Sequence, residues 1–253
     1  MKKTIFITGA TAGFGEAIAR TFAAKGWNLI LTGRRKERLD KLKEELSGQA
    51  GEIYCLTFDV QDYISCQNAI YTLPEKVLES IDVLVNNAGL AAGRSSIDQG
   101  DLNDWDTMID TNIKGVLYVS KLIIPFLKKK ESGHIINLGS IAGKEVYPSG
   151  NVYCATKHAV DALSRSMRID LLPFNIKVTN IAPGAAETEF SLVRFKGDEK
   201  QAKEVYNGFT PLFAQDIADT VDFVVSRPAH VTINDLLIMP TAQANATQFH
   251  KEI

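Results

Sequence analysis

A tyrosine and a lysine, Tyr153 and Lys157, stand four residues apart in a segment rich in helix formers. On a helix, positions i and i+4 share a face, so the phenol and the ammonium can point into the same space. A free tyrosine has a pKa near ~10, and a cation about 4 Å away contributes roughly 4 kcal/mol at an effective dielectric of about 20. That interaction would lower the tyrosine pKa into the range useful for acid–base catalysis. The pair therefore predicts a proton-transfer site, although the same spacing also occurs on ordinary solvated helices.

A serine, Ser140, follows the run from His134 to Leu138, which is expected to form the fifth strand. If that run is a parallel strand, Ser140 lies at its carboxyl end, where open α/β sheets bind ligands. Thirteen residues separate it from Tyr153, which is enough for one loop to return the chain to the same crevice. A structural hydroxyl at a strand end is the alternative.

A glycine-rich turn, Thr8-Gly9-Ala10-Thr11-Ala12-Gly13-Phe14-Gly15, follows the first β-branched run and precedes a helical pattern. Strand, turn and helix in that order are the context in which such glycines indicate a dinucleotide site. The glycines let the backbone approach a pyrophosphate, which the helix N-terminus attracts. The alternative is a simple connection between a strand and a helix.

Two arginines, Arg34 and Arg35, follow the second strand, where NAD-binding sites carry an acidic residue for the ribose. An acid would repel a 2′-phosphate, whereas an arginine makes charge-assisted bonds to it worth about 1.5–3 kcal/mol each. The pair predicts NADP in preference to NAD. The alternative is that both arginines only cap the following helix. Asp59, after the third strand, could accept a bond from an adenine amino group or cap a helix.

Strands and helices alternate along the whole chain, which predicts an α/β fold with a parallel sheet covered on both faces. One helix is expected from about Tyr63 to Leu78, and a longer helical region from about Leu102 to Lys129, with a kink near Pro125. Residues 185–210 show no strand pattern, which is typical of a functional lid or a disordered loop. The strands are expected at 3–8, 28–32, 52–58, 81–85, 134–138, 175–181 and 235–239.

The composition fits one domain spanning residues 1–253 with a substrate lid at about 185–210. The net charge of −2 argues against nucleic acid or an anionic membrane as a partner. Three cysteines without metal-like spacing predict reduced thiols in a cytoplasmic protein and no metal site. No apolar run approaches the ~20 residues of a membrane span.

Over nearly its whole length the chain resembles the short-chain dehydrogenase/reductase family. The resemblance rests on Thr8-Gly9-x-x-x-Gly13-x-Gly15, Asn86-Asn87-Ala88-Gly89, Ser140, Tyr153-x-x-x-Lys157 and Pro183-Gly184-x-x-x-Thr188, in family order. It implies a single-domain Rossmann fold with a seven-stranded parallel sheet and a catalytic tetrad. The tetrad maps onto Asn112, Ser140, Tyr153 and Lys157.

The resemblance also assigns roles. Tyr153 would exchange the proton with the carbonyl or alcohol oxygen, Lys157 would lower the tyrosine pKa and bond the nicotinamide ribose, and Ser140 would hold the substrate oxygen. Asn112 would hold a proton-relay water, and Thr188 would orient the nicotinamide. The residues implied to bind NADP are Gly9, Thr11, Gly13, Phe14, Gly15, Arg34, Arg35, Asp59, Val60, Asn86, Ala88, Gly89, Tyr153, Lys157, Pro183, Gly184 and Thr188.

Within that family, the segments 8–15, 32–39, 150–153 and 188–198 look like those of NADP-dependent 3-hydroxy acid dehydrogenases. This similarity implies an oxidoreductase that interconverts short 3-hydroxy acids with their 3-oxo acids or semialdehydes. Such a substrate carries a carboxylate, and Arg194, with its bidentate fork, is the expected partner. Ser140 and Tyr153 would bind the reacting oxygen. Lys196 and Arg94 are further candidates, and solvated surface cations are the alternative for all three.

Two other functions stay open: a carbonyl or ketoacyl-thioester reductase on the same fold, and a catalytically silent NADP sensor. The sensor is disfavoured because Tyr153, Lys157 and Ser140 are all present. The identity of the hydroxy acid and the direction of the reaction stay open as well. The resemblance implies a homotetramer paired through the helices that carry Asn112 and Tyr153, whereas the sequence itself shows only apolar helix faces.

Overall fold

A seven-stranded, fully parallel sheet forms the centre of the computed structural model, which describes residues 2–252. Met1 and Ile253, the ends of the predicted domain, lie outside the described residues. The strand order is β3-β2-β1-β4-β5-β6-β7, so the α/β prediction with seven parallel strands is confirmed. The strands are β1 Thr4–Ile7, β2 Asn28–Gly33, β3 Ile53–Thr57, β4 Ile81–Asn86, β5 Gly133–Leu138, β6 Ile176–Pro183 and β7 Asp235–Ile238.

The central strands are apolar on both faces because helices cover the sheet on both sides. Along β1, Phe6 belongs to one core cluster, whereas Ile5 and Ile7 belong to the cluster on the opposite face. All four residues of β1 are buried. This two-sided burial explains why the central strands appear in the sequence mainly as apolar runs, rather than as an alternation of apolar and polar residues.

The helices fill the connections between these strands. They are α1 Gly13–Ala24, α2 Lys36–Leu46, α3 Tyr63–Ile70, α4 Glu75–Glu79, α5 Leu102–Ile109, α6 Gly115–Lys130, α7 Asn151–Leu171, α8 Glu189–Arg194, α9 Glu199–Glu204 and α10 Ala214–Val225. Two of them, α8 and α9, lie in the region that the sequence predicted only as a lid or a disordered loop. Within residues 2–252, no helix is both long and apolar enough to cross a membrane.

One helix prediction was wrong, and a second is confirmed with an added irregularity. The single helix expected from Tyr63 to Leu78 is broken into α3 and α4, because Pro74 has an extended ψ of 140° and disfavours helical geometry in the residue before it. The helical region expected from about Leu102 to Lys129 is helical from Leu102 to Lys130, and it contains a π-helical turn at Asp110–Lys114. Pro125 lies inside α6, which the structure assigns as one helix.

The strand order reverses between β1 and β4, and this reversal opens a crevice at the carboxyl ends of the two strands. Hydrogen bonds join the loops that leave them. The Thr8 hydroxyl accepts from the backbone N–H groups of Asn87 and Ala88, both at 2.9 Å. The Asn87 side chain donates to the carbonyls of Thr8, at 2.8 Å, and Gly9, at 3.1 Å. These bonds hold the two loops together at the base of the crevice.

Candidate active site

The glycine turn begins the site, and its glycines are required by geometry. Gly9 and Gly13 have φ values of +66° and +53°, a region that L side chains rarely adopt. Gly15 has no room for a side chain, because a Cβ there would lie 2.3 Å from the Gly9 carbonyl oxygen. The N-terminus of α1 starts at Gly13 and contributes unpaired N–H groups and a partial positive charge at the mouth of the crevice.

The two predicted arginines have different surroundings. Arg34 is largely exposed, and its guanidinium lies 3.5 Å from the carboxylate of Asp59. Arg35 lies further inside, where its Nη2 donates to the Thr11 hydroxyl at 2.9 Å. Its Nη1 donates to the carboxylate of Glu189 at 2.9 Å. Arg35 is thus held in one orientation at the glycine turn, whereas Arg34 has only a long contact with Asp59.

Glu189, the first residue of α8, is a residue that the sequence reasoning missed. Arg38 donates to its other carboxylate oxygen at 2.6 Å. Burial by itself would raise the carboxyl pKa, but the hydrogen bonds from Arg38 and Arg35 lower the pKa of Glu189 overall. The partners are more than 150 positions apart in sequence, so no local pattern could have indicated this contact.

Tyr153 and Lys157 both lie on the inward face of α7 and are buried. Lys157 Nζ donates to the carbonyl of Leu138 at 2.8 Å and lies 5.9 Å from the centroid of the tyrosine ring. Burial lowers the pKa of Lys157 to about 8. Burial also dominates at Tyr153, whose pKa is raised above its ordinary value, with smaller lowering contributions from Ser140 and Arg194. The expected lowering of the tyrosine pKa by the lysine is not found, and burial determines the direction of the shift.

Ser140 stands between the end of β5 and a short 3₁₀ turn, Ile141–Gly143. Its hydroxyl accepts from the backbone N–H of Ala142 at 3.1 Å, which fixes the side chain at the crevice. The turn packs tightly on α7, since a Cβ at Gly143 would lie 2.5 Å from the Lys157 carbonyl oxygen. This contact brings Ser140 to the face of α7 that carries Tyr153.

Asn112 lies in the π-helical turn and is buried. Its side chain accepts from the backbone N–H of Leu90 at 2.9 Å and donates to the Leu90 carbonyl at 2.8 Å. A further donation reaches the hydroxyl of Thr156 at 3.0 Å. The side chain therefore joins the loop after β4 to α7, and it lies close to Gly89, whose Cβ would contact both Asn112 and Lys157.

One cavity of about 1020 Å³ connects the glycine turn to Ser140, Tyr153 and Lys157. Among the described residues 2–252, three predicted site residues do not line this cavity: Gly15, Asn86 and Asn112. Gly15 packs under the glycine turn. Asn86 instead donates to Asn137 and Ser120 in a buried polar network. The predicted residues that do line it are Gly9, Thr11, Gly13, Phe14, Arg34, Arg35, Asp59, Val60, Ala88, Gly89, Ser140, Tyr153, Lys157, Pro183, Gly184, Thr188 and Arg194.

Helix α8 brings a cation to the tyrosine end of the cavity. The guanidinium carbon of Arg194 lies 5.7 Å from the ring centroid of Tyr153 and 5.4 Å from that of Tyr147. Its Nε is buried and has no hydrogen-bond partner within residues 2–252. Lys196 is directed elsewhere, with its Nζ 2.9 Å from the carboxylate of Asp104. Arg94 lines the cavity but is exposed, so Arg194 is the cation best placed beside Tyr153.

Several aromatic and C-terminal residues of the cavity were not predicted. Phe190 of α8 packs on Tyr153 with ring centroids 5.6 Å apart, and Tyr147 belongs to the same apolar cluster. The segment after β7 also returns to the cavity, which Gln243, Ala246, Phe249 and Lys251 line. Gln243 accepts from the backbone N–H of Ala185 at 2.8 Å, so the C-terminal segment is attached to the residues that follow β6.

Comparison with known proteins adds independent information. The family model described as short chain dehydrogenase matches residues 3–198. Sulfoacetaldehyde reductase 2 of Chromohalobacter salexigens is 47% identical over 245 residues, 96% of each chain. An NADP-dependent 3-hydroxy acid dehydrogenase of Escherichia coli strain K12 is 44% identical over 243 residues, again 96% of each chain. The closed form of a serine dehydrogenase complexed with NADP⁺ superimposes with a TM-score of 0.92 at 43% identity, covering 98% of this chain and all of the other.

Proposed function

Because this chain belongs to the short-chain dehydrogenase family, we propose that it is an NADP-dependent oxidoreductase acting on short 3-hydroxy acids and their 3-oxo acids or semialdehydes. The observation that carries the proposal is the arrangement of Ser140, Tyr153, Lys157 and Arg194 around one cavity that starts at the glycine turn. Proton-transfer groups and an anion-binding group thus face the same space as the dinucleotide cradle.

The residues present fit an NADP molecule. The positive φ of Gly9 and Gly13 and the lack of space at Gly15 leave a cradle open to a pyrophosphate at the N-terminus of α1. Arg34 and Arg35 provide cationic donors where a 2′-phosphate would be recognised. When bound, the nicotinamide supplies or accepts the hydride.

Tyr153 has the properties of a proton donor for carbonyl reduction. Its raised pKa keeps the phenol protonated at neutral pH, so a proton is available for a developing alkoxide. Ser140 adds a second donor to that oxygen and stabilises its charge. Lys157, with a pKa of about 8, is largely cationic at pH 7 and attracts negative charge that develops on the phenol.

Arg194 favours an anionic substrate. A buried Nε without a partner is costly, and a carboxylate would satisfy it with a charge-assisted bond. A sulfonate has the same charge and similar acceptor oxygens. The similarity to a sulfoacetaldehyde reductase therefore makes a short sulfonated aldehyde a second candidate substrate. A large thioester fits less well, because it places no anion beside the reacting carbonyl.

A turnover screen tests the proposal. Serine, allo-threonine, 3-hydroxypropionate and 3-hydroxyisobutyrate should each be offered with NADP⁺ and with NAD⁺, and sulfoacetaldehyde with NADPH and with NADH. We expect turnover of at least one 3-hydroxy acid with NADP⁺ and much less with NAD⁺. Isethionate formation without hydroxy-acid oxidation would favour the second candidate. NADPH binding without any turnover would identify the sensor alternative.

We further propose one domain over residues 1–253, with the lid at 185–210, located in the cytoplasm and assembled as a homotetramer. Supporting the tetramer, apolar side chains on the helices near Asn112 and Tyr153 are exposed, among them Leu117 of α6 and Ile169 of α7. Free thiols at Cys55, Cys66 and Cys154 are typical of a reducing compartment. Light scattering of the purified chain tests the assembly state.

A further inference from the structure

Helix α8 has only six residues, and its two ends contact different parts of the cavity. Glu189, at its start, pairs with Arg35 and Arg38 beside the glycine turn. Arg194, at its end, lies against Tyr153, and Phe190 packs on the same ring. At a rise of 1.5 Å per residue, these ends are about 8 Å apart along a single rigid segment.

The carboxylate of Glu189 interacts with Arg35 as a phosphate would. Arg35 lines the cavity, whereas Arg38 contacts Glu189 without lining it. A phosphate that binds at Arg35 therefore shares its guanidinium with a carboxylate of like charge. The second guanidinium, from Arg38, continues to hold Glu189 if Arg35 turns toward the phosphate.

We propose that Glu189 is a positioning residue that couples recognition of the cofactor 2′-phosphate to the placement of Arg194 beside the substrate anion. The inference rests on the proposed function, since it assigns to α8 the task of joining the two anion sites. Holding α8 in place favours the substrate, whereas the negative charge of Glu189 opposes the 2′-phosphate. Glu189 therefore improves binding of the substrate and weakens binding of the 2′-phosphate.

The Glu189→Gln variant separates these effects because it keeps the size of the side chain and removes its charge. NADPH should bind roughly twofold to fivefold more tightly, the range expected for a single partly exposed ion pair. The affinity for NADH should not change, because NADH has no 2′-phosphate. The Michaelis constant for the hydroxy acid should rise by a similar factor, with kcat nearly unchanged, because Arg194 is less well placed.

The experiment is a titration of NADPH and NADH by isothermal calorimetry, followed by initial-rate kinetics with the best 3-hydroxy acid. Glu199→Gln is the matched control: Glu199 lies on the next lid helix, pairs only distantly with Lys203 at 3.8 Å and does not line the cavity. Tighter NADPH, unchanged NADH and a raised substrate Michaelis constant in Glu189→Gln alone would support the coupling. Equal losses for both nucleotides, or an unchanged Michaelis constant, would overturn it.

A double-mutant cycle that combines Glu189→Gln with Arg38→Gln tests whether the pairing of these two residues positions Arg194. Arg38→Gln alone should raise the Michaelis constant for the hydroxy acid, and the double variant should be no worse than Glu189→Gln. Strictly additive increases would contradict the proposal. If the wild-type chain turns over no 3-hydroxy acid, the proposed function fails, whereas the nucleotide titrations still decide the inference: unchanged NADPH affinity in Glu189→Gln would overturn it.

Discussion

The guanidinium of Arg194 lies 5.7 Å from the ring centroid of Tyr153, which places a cation of α8 beside the phenol. A substrate whose reacting oxygen contacts the Tyr153 hydroxyl can therefore bind Arg194 only if its anionic group lies a few bonds from that oxygen. We expect Arg194→Ala to raise the Michaelis constant for a 3-hydroxy acid by about 10- to 100-fold, the loss of one charge-assisted interaction. The constant for an uncharged alcohol should hardly change. Parallel losses on both substrates would exclude a specific anion contact.

Loss of the phenol hydroxyl should abolish most of the chemistry. In Tyr153→Phe, we expect kcat to fall by about 10²–10⁴-fold, since general acid–base catalysis contributes that much. Binding of NADPH, measured by calorimetry, should stay close to the wild-type value because the ring remains packed on Phe190. Activity near the wild-type level in this variant would disprove the role of Tyr153.

The two arginines after β2 should set the cofactor preference. Arg34→Asp, and independently Arg35→Ala, should raise the Michaelis constant for NADPH by about 10- to 100-fold and leave that for NADH nearly unchanged. Lys36→Ala is the control, because the neighbouring Lys36 pairs with Asp40 and does not line the cavity. Equal effects of either arginine substitution on NADPH and NADH would reject its assignment to the 2′-phosphate.

Burial of Lys157 should appear in the stability of the fold. Its pKa is lowered to about 8 in the folded chain, from 10.5, so the unfolded chain binds more protons between about pH 8 and pH 10.5. The contribution of Lys157 to the free energy of unfolding therefore rises with pH across that window. Below the window, the buried ammonium imposes its full desolvation cost on the folded chain. The difference between the two free energies of unfolding, Lys157→Met minus wild type, should be more positive at pH 7 than at pH 10 by roughly 2–3 kcal/mol.

Denaturant unfolding at both pH values measures that difference, and Lys144→Met is the contrasting control. Burial alone would lower the pKa of Lys144, but hydrogen bonds to Asp161 and Asp235 raise it, so loss of its charge should destabilise the fold at pH 7. A difference for Lys157→Met that does not depend on pH would show that the lysine titrates normally in the folded chain.

The close packing of Gly15 gives a prediction that needs no cofactor. A methyl group there would lie 2.3 Å from the Gly9 carbonyl oxygen, so the turn must move in Gly15→Ala. We expect a loss of stability of about 1–3 kcal/mol, typical of overpacking. Ala24→Ser is the control, because Ala24 lies at an exposed helix end without close packing. Gly48→Ala would be a poor control, because Gly48 has a φ of +91°. Equal melting temperatures for Gly15→Ala and wild type would contradict the steric argument.

The sequence predicted the sheet and the glycine turn because both depend on local patterns. β-branched runs bounded by turns indicate buried strands, and the special conformation of Gly9 is determined within a few residues. The break at Pro74 was also present in the sequence, as a proline after a leucine, but was outweighed by the apolar pattern around it. Strands and turns are indicated by residues close together in the chain, so they can be predicted from one sequence.

The remaining features depend on contacts between distant segments. The pairing of Glu189 with Arg35 joins α8 to the residues after β2, and no local sequence pattern indicates it. The direction of the pKa shift of Tyr153 depends on burial, which the spacing of Tyr153 and Lys157 does not reveal. The π-helical turn at Asn112 is accompanied by side-chain bonds to Leu90 and Thr156, which lie elsewhere in the chain.

That π-helical turn has a consequence for how the chain tolerates deletions. A π turn amounts to one residue more than a regular helix would use, and one residue corresponds to roughly 100° of rotation about the helix axis. Removing a single residue between Asp110 and Lys114 would give a smoother helix, but it would turn Met108 away from the cluster that contains Tyr153. A one-residue deletion here would therefore rotate α5 relative to α6, and Tyr153 would lose the packing of Met108 although the chain is only one residue shorter.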